Sequence, residues 1–203
     1  MTDVEKDLHD ELERPYPLSP EQIEAFRRDG FIRLPNVFSA ELLEHFGALI
    51  TSVVEAEDPN ELPLAERGAY ARAFTQITNL WQRHPAVVPF SSSRRCARIA
   101  CELLGCEGVR MWHDQALFKE ASGGITPWHV DQFFWPMSSD QSITAWIPFQ
   151  ETSVESGALQ FAVGTHHSDH GRRSPTTWAT PASTTASRSI APKPISAARR
   201  APP

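Results

Sequence analysis

Four short segments between residues 109 and 163 are rich in β-branched and aromatic residues, and turn-like sequences separate them. The segments are 109–119, 125–131, 143–149 and 158–163. Their composition favours β-strands, and the Gly, Ser and Asp residues between them favour turns. Because helices are predicted ahead of this run, the sequence indicates an antiparallel sandwich or barrel that carries helices on one side.

Three helices are predicted before the strands from their first and last residues. Ser19 caps the first helix, Gln22 completes a capping box with it, and Gly30 supplies the left-handed residue that ends it. Ser39 caps the second helix, and the third closes at Gly105. A short strand is expected directly after the first helix.

Two terminal segments differ in composition from the domain predicted at 19–171. Residues 1–18 are acidic and lack apolar periodicity, which predicts a mobile lead-in. In residues 172–203, 28 of 32 positions are Ala, Pro, Ser, Thr or Arg, and none is acidic. This composition indicates either a disordered basic tail or out-of-frame translation of a GC-rich gene, so the domain is expected to lack its last strands.

Charge and composition narrow the class of protein. The net charge is -6 overall and -12 over residues 1–171, which argues against a nucleic-acid partner. No stretch approaches the roughly 20 apolar residues of a membrane span, and the acidic N-terminus does not resemble a signal peptide. A cytoplasmic protein is the expectation. Three cysteines at five-residue spacing fit neither a metal knuckle nor a disulfide framework, so reduced thiols are predicted.

His129 and Asp131 are the clearest candidate metal ligands. Two positions apart on a strand, their side chains would leave the same face and reach one ion. Non-haem iron(II) oxygenases use two histidines and one carboxylate in this way. The pattern alone is weak, since such a pair is often only hydrogen-bonded. Its context strengthens it, because Gly123-Gly124 precedes the pair and Trp128 adjoins it.

The stretch from Met111 to His167 resembles the central part of the phytanoyl-CoA dioxygenase family. It contains a tryptophan followed by His-x-Asp, a later tryptophan-centred strand, and a glycine-leucine strand that ends in a Gly-Thr-His turn. The sequence LSPEQIEAFRRDGFIRLPNVFSAELLEHF is similar to the family's opening helix, strand and helix. The resemblance therefore covers roughly residues 18–170.

This resemblance implies a mainly β chain with N-terminal helices, folded as a double-stranded β-helix (jelly roll) and incomplete at its C-terminus. It also implies Fe(II), 2-oxoglutarate and dioxygen, with hydroxylation of an unactivated C–H bond of a small molecule and release of succinate. His129 and Asp131 resemble the first two iron ligands. Gln115 and Trp146 fall where the family contacts 2-oxoglutarate, and Lys119 aligns with a lysine common on the same strand. The retained carboxylate favours hydroxylation over halogenation.

The residues themselves leave alternatives open. Gln115 and Lys119 share a strand face, so their amide and ammonium could address a dicarboxylate, but Lys119 could equally be a solvated edge residue. Trp146 could be a core residue as well as a ligand contact. An aromatic cluster at Trp128 and residues 133–135 is more often core than the lining of a substrate pocket.

A third iron ligand is not evident, because no histidine follows His170. His166, His167 and His170 lie where the family places a turn rather than a ligand. Two classes of function therefore remain open. The chain is an active oxygenase whose third ligand lies elsewhere or on a partner chain, or it is a truncated or non-catalytic relative. A zinc-binding or metal-free cupin-like module is a further alternative. The substrate and the oligomeric state are left undetermined.

Overall fold

The computed structural model of the chain describes residues 2–58, 60, 62–120, 128, 129, 131, 139, 141–154, 156–167 and 176–179, with the backbone alone at 69, 70 and 176–179. Its helices are α1 (Asp3–Glu13), α2 (Pro20–Asp29), α3 (Ala40–Glu57), α4 (Ala69–Ala73), α5 (Leu80–Arg83), α6 (Val88–Ser91) and α7 (Arg94–Leu104). Its strands are β1 (Phe31–Arg33), β2 (Thr75–Thr78), β3 (Gln115–Phe118), β4 (Ile143–Trp146) and β5 (Thr176–Ala179). Short 3-10 helices lie at Leu64–Glu66 and Thr165–His167.

The three helices predicted from capping residues are confirmed as α2, α3 and α7. Ser19 and Gln22 form the reciprocal capping box at the start of α2, and Gly30 ends that helix at a φ of 85°. The Ser39 hydroxyl accepts the backbone N–H of Leu42 at the start of α3. Gly105 ends α7 at a φ of 70°. Local side-chain chemistry therefore sets these helix ends.

The prediction of a mobile lead-in is wrong for residues 3–13, which form α1. Leu8 and Leu12 are buried against the core. The carboxylate of Glu11 accepts hydrogen bonds from the Ser39 backbone N–H at 2.7 Å and from the Ser39 hydroxyl at 2.6 Å. This helix therefore holds the N-terminus of α3 in place. The prediction relied on periodicity, which two leucines one helical turn apart supply only weakly, and overlooked the capping box that Thr2 and Glu5 form at the start of this helix.

The core is built around α3 and an aromatic cluster beside it. Phe90 lies at the centre of the cluster, with its ring centroid 5.0 Å from that of Phe46, 5.5 Å from that of Phe38 and 5.4 Å from that of Phe149. Phe149 follows β4 and packs over Gly47 of α3, where a β-carbon would lie 3.2 Å from the Phe149 side chain. This packing holds the end of β4 against α3.

The described strands form two separate sheets. Strands β1, β5 and β4 lie side by side in that order, and both pairings are parallel. Strands β2 and β3 pair antiparallel, with Thr75 opposite Phe118 and Thr78 opposite Gln115. The expected all-antiparallel sandwich is therefore wrong for the first sheet. Helix exceeds strand in the described residues, so the jelly roll stays a prediction.

The structure differs from the sequence-based predictions at two further segments. Residues 158–163 are not a strand; they form irregular chain, which Phe161 anchors by stacking on Phe31 at 4.9 Å between ring centroids. Thr176–Ala179 form β5, although they lie in the segment expected to be disordered. The rest of residues 172–203 lies outside the described residues. The segment predicted as a strand at 125–131 is described at only three positions.

Two general properties follow from the described residues. None of the helices there is both long enough and apolar enough to cross a membrane. All three cysteines are free thiols, with Cys106 exposed and Cys96 and Cys101 partly covered. Burial raises the pKa of Cys96 to about 12, which keeps that thiol protonated and unreactive at neutral pH.

Gly30 is required where α2 meets the segment 161–167. Its φ of 85° is unfavourable for any residue with a side chain, and a β-carbon there would lie 2.4 Å from Nδ1 of His166. We expect Gly30→Ala to lower the free energy of unfolding by about 1–3 kcal/mol from backbone strain alone, measured by urea denaturation.

Two companion variants separate strain from the clash. Gly108→Ala is the control, because a β-carbon at Gly108 would meet nothing within 4 Å and its φ is not positive. His166→Ala in the Gly30→Ala background removes the clash and keeps the backbone strain. A Gly30→Ala protein as stable as Gly108→Ala would contradict the assignment.

Candidate functional site

His129 and Asp131, the two predicted metal ligands, lie side by side. Nε2 of His129 is 3.2 Å from Oδ1 of Asp131, and the two side chains are 39% and 27% exposed. Neither residue lies in a described strand, so the predicted strand geometry is not what brings them together. Both side chains are partly exposed to solvent.

A threonine on β4 contacts the second oxygen of the same carboxylate. The hydroxyl of Thr144 donates to Oδ2 of Asp131 at 3.2 Å. The two oxygens of Asp131 thus have different neighbours, with Oδ1 beside the imidazole of His129 and Oδ2 beside the hydroxyl. Sequence reasoning missed Thr144, which is 13 positions from Asp131.

Trp146 leaves β4 on the same face as Thr144, because side chains two positions apart on a strand point the same way. That face is the one directed at Asp131. Trp146 is the last residue of β4 and is half-buried. Trp146, one of the three predicted 2-oxoglutarate contacts, thus lies on the same strand as Thr144, whose hydroxyl contacts Asp131.

The other two predicted contacts, Gln115 and Lys119, are at β3, in the sheet that does not contain β4. Gln115 begins β3, is exposed, and accepts a hydrogen bond from the side-chain amide of Gln76 at 2.6 Å. Leu117 is also exposed whereas Ala116 is buried, so the alternation expected for this strand is confirmed. Gln115 and Leu117 therefore share the outward face of β3, and Lys119, just after the strand, is exposed as well.

Lys119 directly follows β3 and is held by two neighbours. Its ammonium donates to the carbonyl oxygen of Ala73 at 3.4 Å. Its aliphatic stem lies on Gly157, where a β-carbon would be 2.6 Å from Cδ of the lysine. The next residue, Glu120, forms an ion pair with Arg67, whose side chain is nearly buried. The end of β3 is thus fixed on both sides.

No third metal ligand is evident in the described part of the chain. No group of three His, Cys, Asp or Glu side chains that could hold a metal ion occurs there. His166 is engaged elsewhere, because its Nε2 lies 3.0 Å from the carbonyl oxygen of Arg27 and its ring contacts that of His167. His170 lies outside the described residues.

Comparison with known proteins adds an independent result. The family model described as Phytanoyl-CoA dioxygenase (PhyH) matches residues 26–197. A curated relative from Stutzerimonas stutzeri, named "Probable alpha-ketoglutarate-dependent hypophosphite dioxygenase", is 26% identical over 152 residues. That alignment covers 72% of this chain and 53% of the relative, so the chain spans about half the length of this relative. No solved structure matches the chain significantly.

Both comparisons imply Fe(II) and 2-oxoglutarate, and the described residues fit part of that requirement. Two ligands about 2.1 Å from one octahedral ion lie about 3 Å apart when they occupy neighbouring positions. The 3.2 Å between Nε2 of His129 and Oδ1 of Asp131 fits this arrangement. An imidazole and a carboxylate are also the donor types that iron(II) oxygenases use. If the ion binds here, His129 and Asp131 are the residues that would hold it.

Proposed function

This chain belongs to the phytanoyl-CoA dioxygenase family, and from that membership we propose that it is a non-haem Fe(II)- and 2-oxoglutarate-dependent dioxygenase. In the proposed reaction an unactivated C–H bond of a small organic molecule is hydroxylated while 2-oxoglutarate is decarboxylated to succinate. The observation that carries the proposal is the 3.2 Å approach of the His129 imidazole to the Asp131 carboxylate. The family relationship gives this pair its proposed role.

The proposed roles follow from the chemistry of each residue. His129 offers a neutral nitrogen donor, and Asp131 offers a carboxylate that offsets part of the ion's charge. When bound, Fe(II) supplies the activation of dioxygen for which protein side chains have no equivalent. The remaining positions on the ion would stay available to 2-oxoglutarate and dioxygen, because two or three protein ligands leave an octahedral ion open.

Gln115, Lys119 and Trp146 are proposed to contact 2-oxoglutarate. The amide of Gln115 and the ammonium of Lys119 can donate hydrogen bonds to its carboxylates. Trp146 would present an apolar wall on the face of β4 that meets Asp131. This role requires the outward face of β3 and the inward face of β4 to line one cavity, as they would in a jelly roll. That fold and a cytoplasmic location belong to the same proposal.

The competing reading is a truncated or non-catalytic relative that lacks the distal histidine. Two protein ligands hold a metal ion more weakly than three, so such a chain would bind iron poorly. This reading predicts a protein that folds but does not bind 2-oxoglutarate at the metal. The two readings therefore differ in a measurable complex, whatever the substrate is.

An anaerobic titration tests the proposal without a known substrate. The purified full chain is loaded with Fe(II) and titrated with 2-oxoglutarate, whose chelation of the ion gives a visible charge-transfer band. Oxygen is then admitted and succinate is measured, with and without added hypophosphite, the substrate named for the relative. We expect the band and iron-dependent succinate. A folded protein that gives neither would favour the non-catalytic relative.

A further inference from the structure

The two oxygens of the Asp131 carboxylate have different neighbours. Oδ1 faces His129, whereas Oδ2 accepts the hydroxyl hydrogen bond of Thr144. A carboxylate attached through a single bond can rotate and exchange its two oxygens. A donor fixed on Oδ2 opposes this rotation and keeps Oδ1 beside the His129 imidazole, where the ion would be held.

Thr144 is suited to act as such a fixed donor. It is the second residue of β4, and its backbone is paired with Thr177 of β5, so its position is set by the sheet. A β-branched side chain has few accessible χ1 rotamers, so the hydroxyl has few alternative directions. The residue is half-buried, which limits competition from water for the Asp131 carboxylate.

We propose that Thr144 is a positioning residue that orients the Asp131 carboxylate for metal binding. The inference rests on the proposed function, since it assigns a partner to one of the proposed ligands. Removing a hydrogen-bond partner of a metal ligand typically costs about 10–100-fold in metal affinity or activity. A loss of this size should be seen in the measured metal affinity, which can be determined without turnover.

The test compares two substitutions at the same position. Thr144→Val keeps the branched shape and removes the hydroxyl, whereas Thr144→Ser keeps the hydroxyl. Binding of Co(II), a spectroscopic substitute for Fe(II), is measured on the purified full chain from its visible absorption. We expect Thr144→Val to bind about 10–100-fold more weakly than wild type. Thr144→Ser should restore most of the affinity.

Controls separate positioning from a general effect on folding. Thr152→Val removes a hydroxyl that donates to the nearby backbone carbonyl of Gln150, and it should leave Co(II) affinity unchanged. Thermal unfolding of each variant establishes that it is folded. In an Asp131→Ala background, Thr144→Val should have no further effect, because its target is gone.

The outcomes distinguish this inference from the proposed function. If Asp131→Ala weakens Co(II) binding but Thr144→Val matches wild type, the positioning role is overturned and the metal site stands. An equal loss from Thr144→Val and Thr144→Ser would overturn it as well, because the hydroxyl would not be the cause. If Asp131→Ala leaves binding unchanged, the proposed site itself fails. Tight binding with no succinate would count against the proposed reaction alone.

Discussion

Asp131→Ala is expected to abolish iron-dependent succinate formation and to weaken Fe(II) binding by more than 100-fold. The substitution removes one of the two candidate ligands, together with the negative charge that offsets part of the ion's charge. Loss of a group that only supports a ligand costs about 10–100-fold, so loss of the ligand itself should cost more. Fe(II) affinity is measured by anaerobic competition with a chelator of known affinity.

Glu151→Ala is the matched control for charge, because Glu151 is an exposed acid on the chain that follows β4. It should bind Fe(II) as the wild type does. Asp131→Asn gives a finer comparison, since it keeps the size of the side chain and an oxygen donor but loses the charge. Wild-type Fe(II) affinity in Asp131→Ala would show that the ion binds elsewhere, and the assignment of the pair would be wrong.

Arg95→Ala is expected to lower the free energy of unfolding by about 3–5 kcal/mol, the cost of breaking a buried ion pair. The Arg95 side chain is only 10% exposed and lies 3.3 Å from Oε1 of Glu11. It also donates to the backbone carbonyl oxygens of Arg14 and Val37 and lies over the ring of Phe38. Its loss would leave the Glu11 carboxylate and both carbonyl groups without this partner.

The neighbouring residue supplies the control for this prediction. Arg94 is 75% exposed and forms an ion pair with Glu13 at 3.3 Å, so Arg94→Ala should change stability by less than about 1 kcal/mol. Both variants are compared by urea denaturation followed by circular dichroism. If Arg95→Ala is no less stable than Arg94→Ala, α1 is not held in the way described. Failure of the Arg95 variant to fold at all would agree with the prediction.

The parts of the fold that could be predicted are those with local causes. Ser19, Ser39, Gly30 and Gly105 each act through hydrogen bonds or φ angles within a few residues, and each helix end was found where expected. The helix α1 also begins at a local signal, a capping box of Thr2 and Glu5, which the prediction overlooked. Its position against α3, by contrast, depends on contacts between residues distant in sequence, such as those of Glu11 with Ser39. Strand β2 was missed because its pairing partner, which begins at Gln115, is distant in sequence.

In the candidate site, too, the contact between residues close in sequence could be predicted, whereas the contact between distant residues could not. The pairing of His129 with Asp131 could be predicted because the two residues are neighbours in sequence and chemically distinctive. Thr144 could not, because a threonine in a strand has many roles and its contact with Asp131 depends on the tertiary fold. The proximity of Thr144 to Trp146 was the available signal, since both share a face of β4.

Strand β5 lies between β1 and β4, so the two outer strands are joined only through it. Phe31 of β1 is paired with Thr177, and these two residues are very far apart along the chain. Sheets built from such distant pairs form late, because a large loop must close before any pairing is gained. The helical half of the chain can therefore assemble first, with Phe149 holding the end of β4 against α3. The sheet that contains Thr144 is complete only after residues 176–179 have paired with β1 and β4. We accordingly expect the orientation of Asp131 to be among the last features acquired during folding.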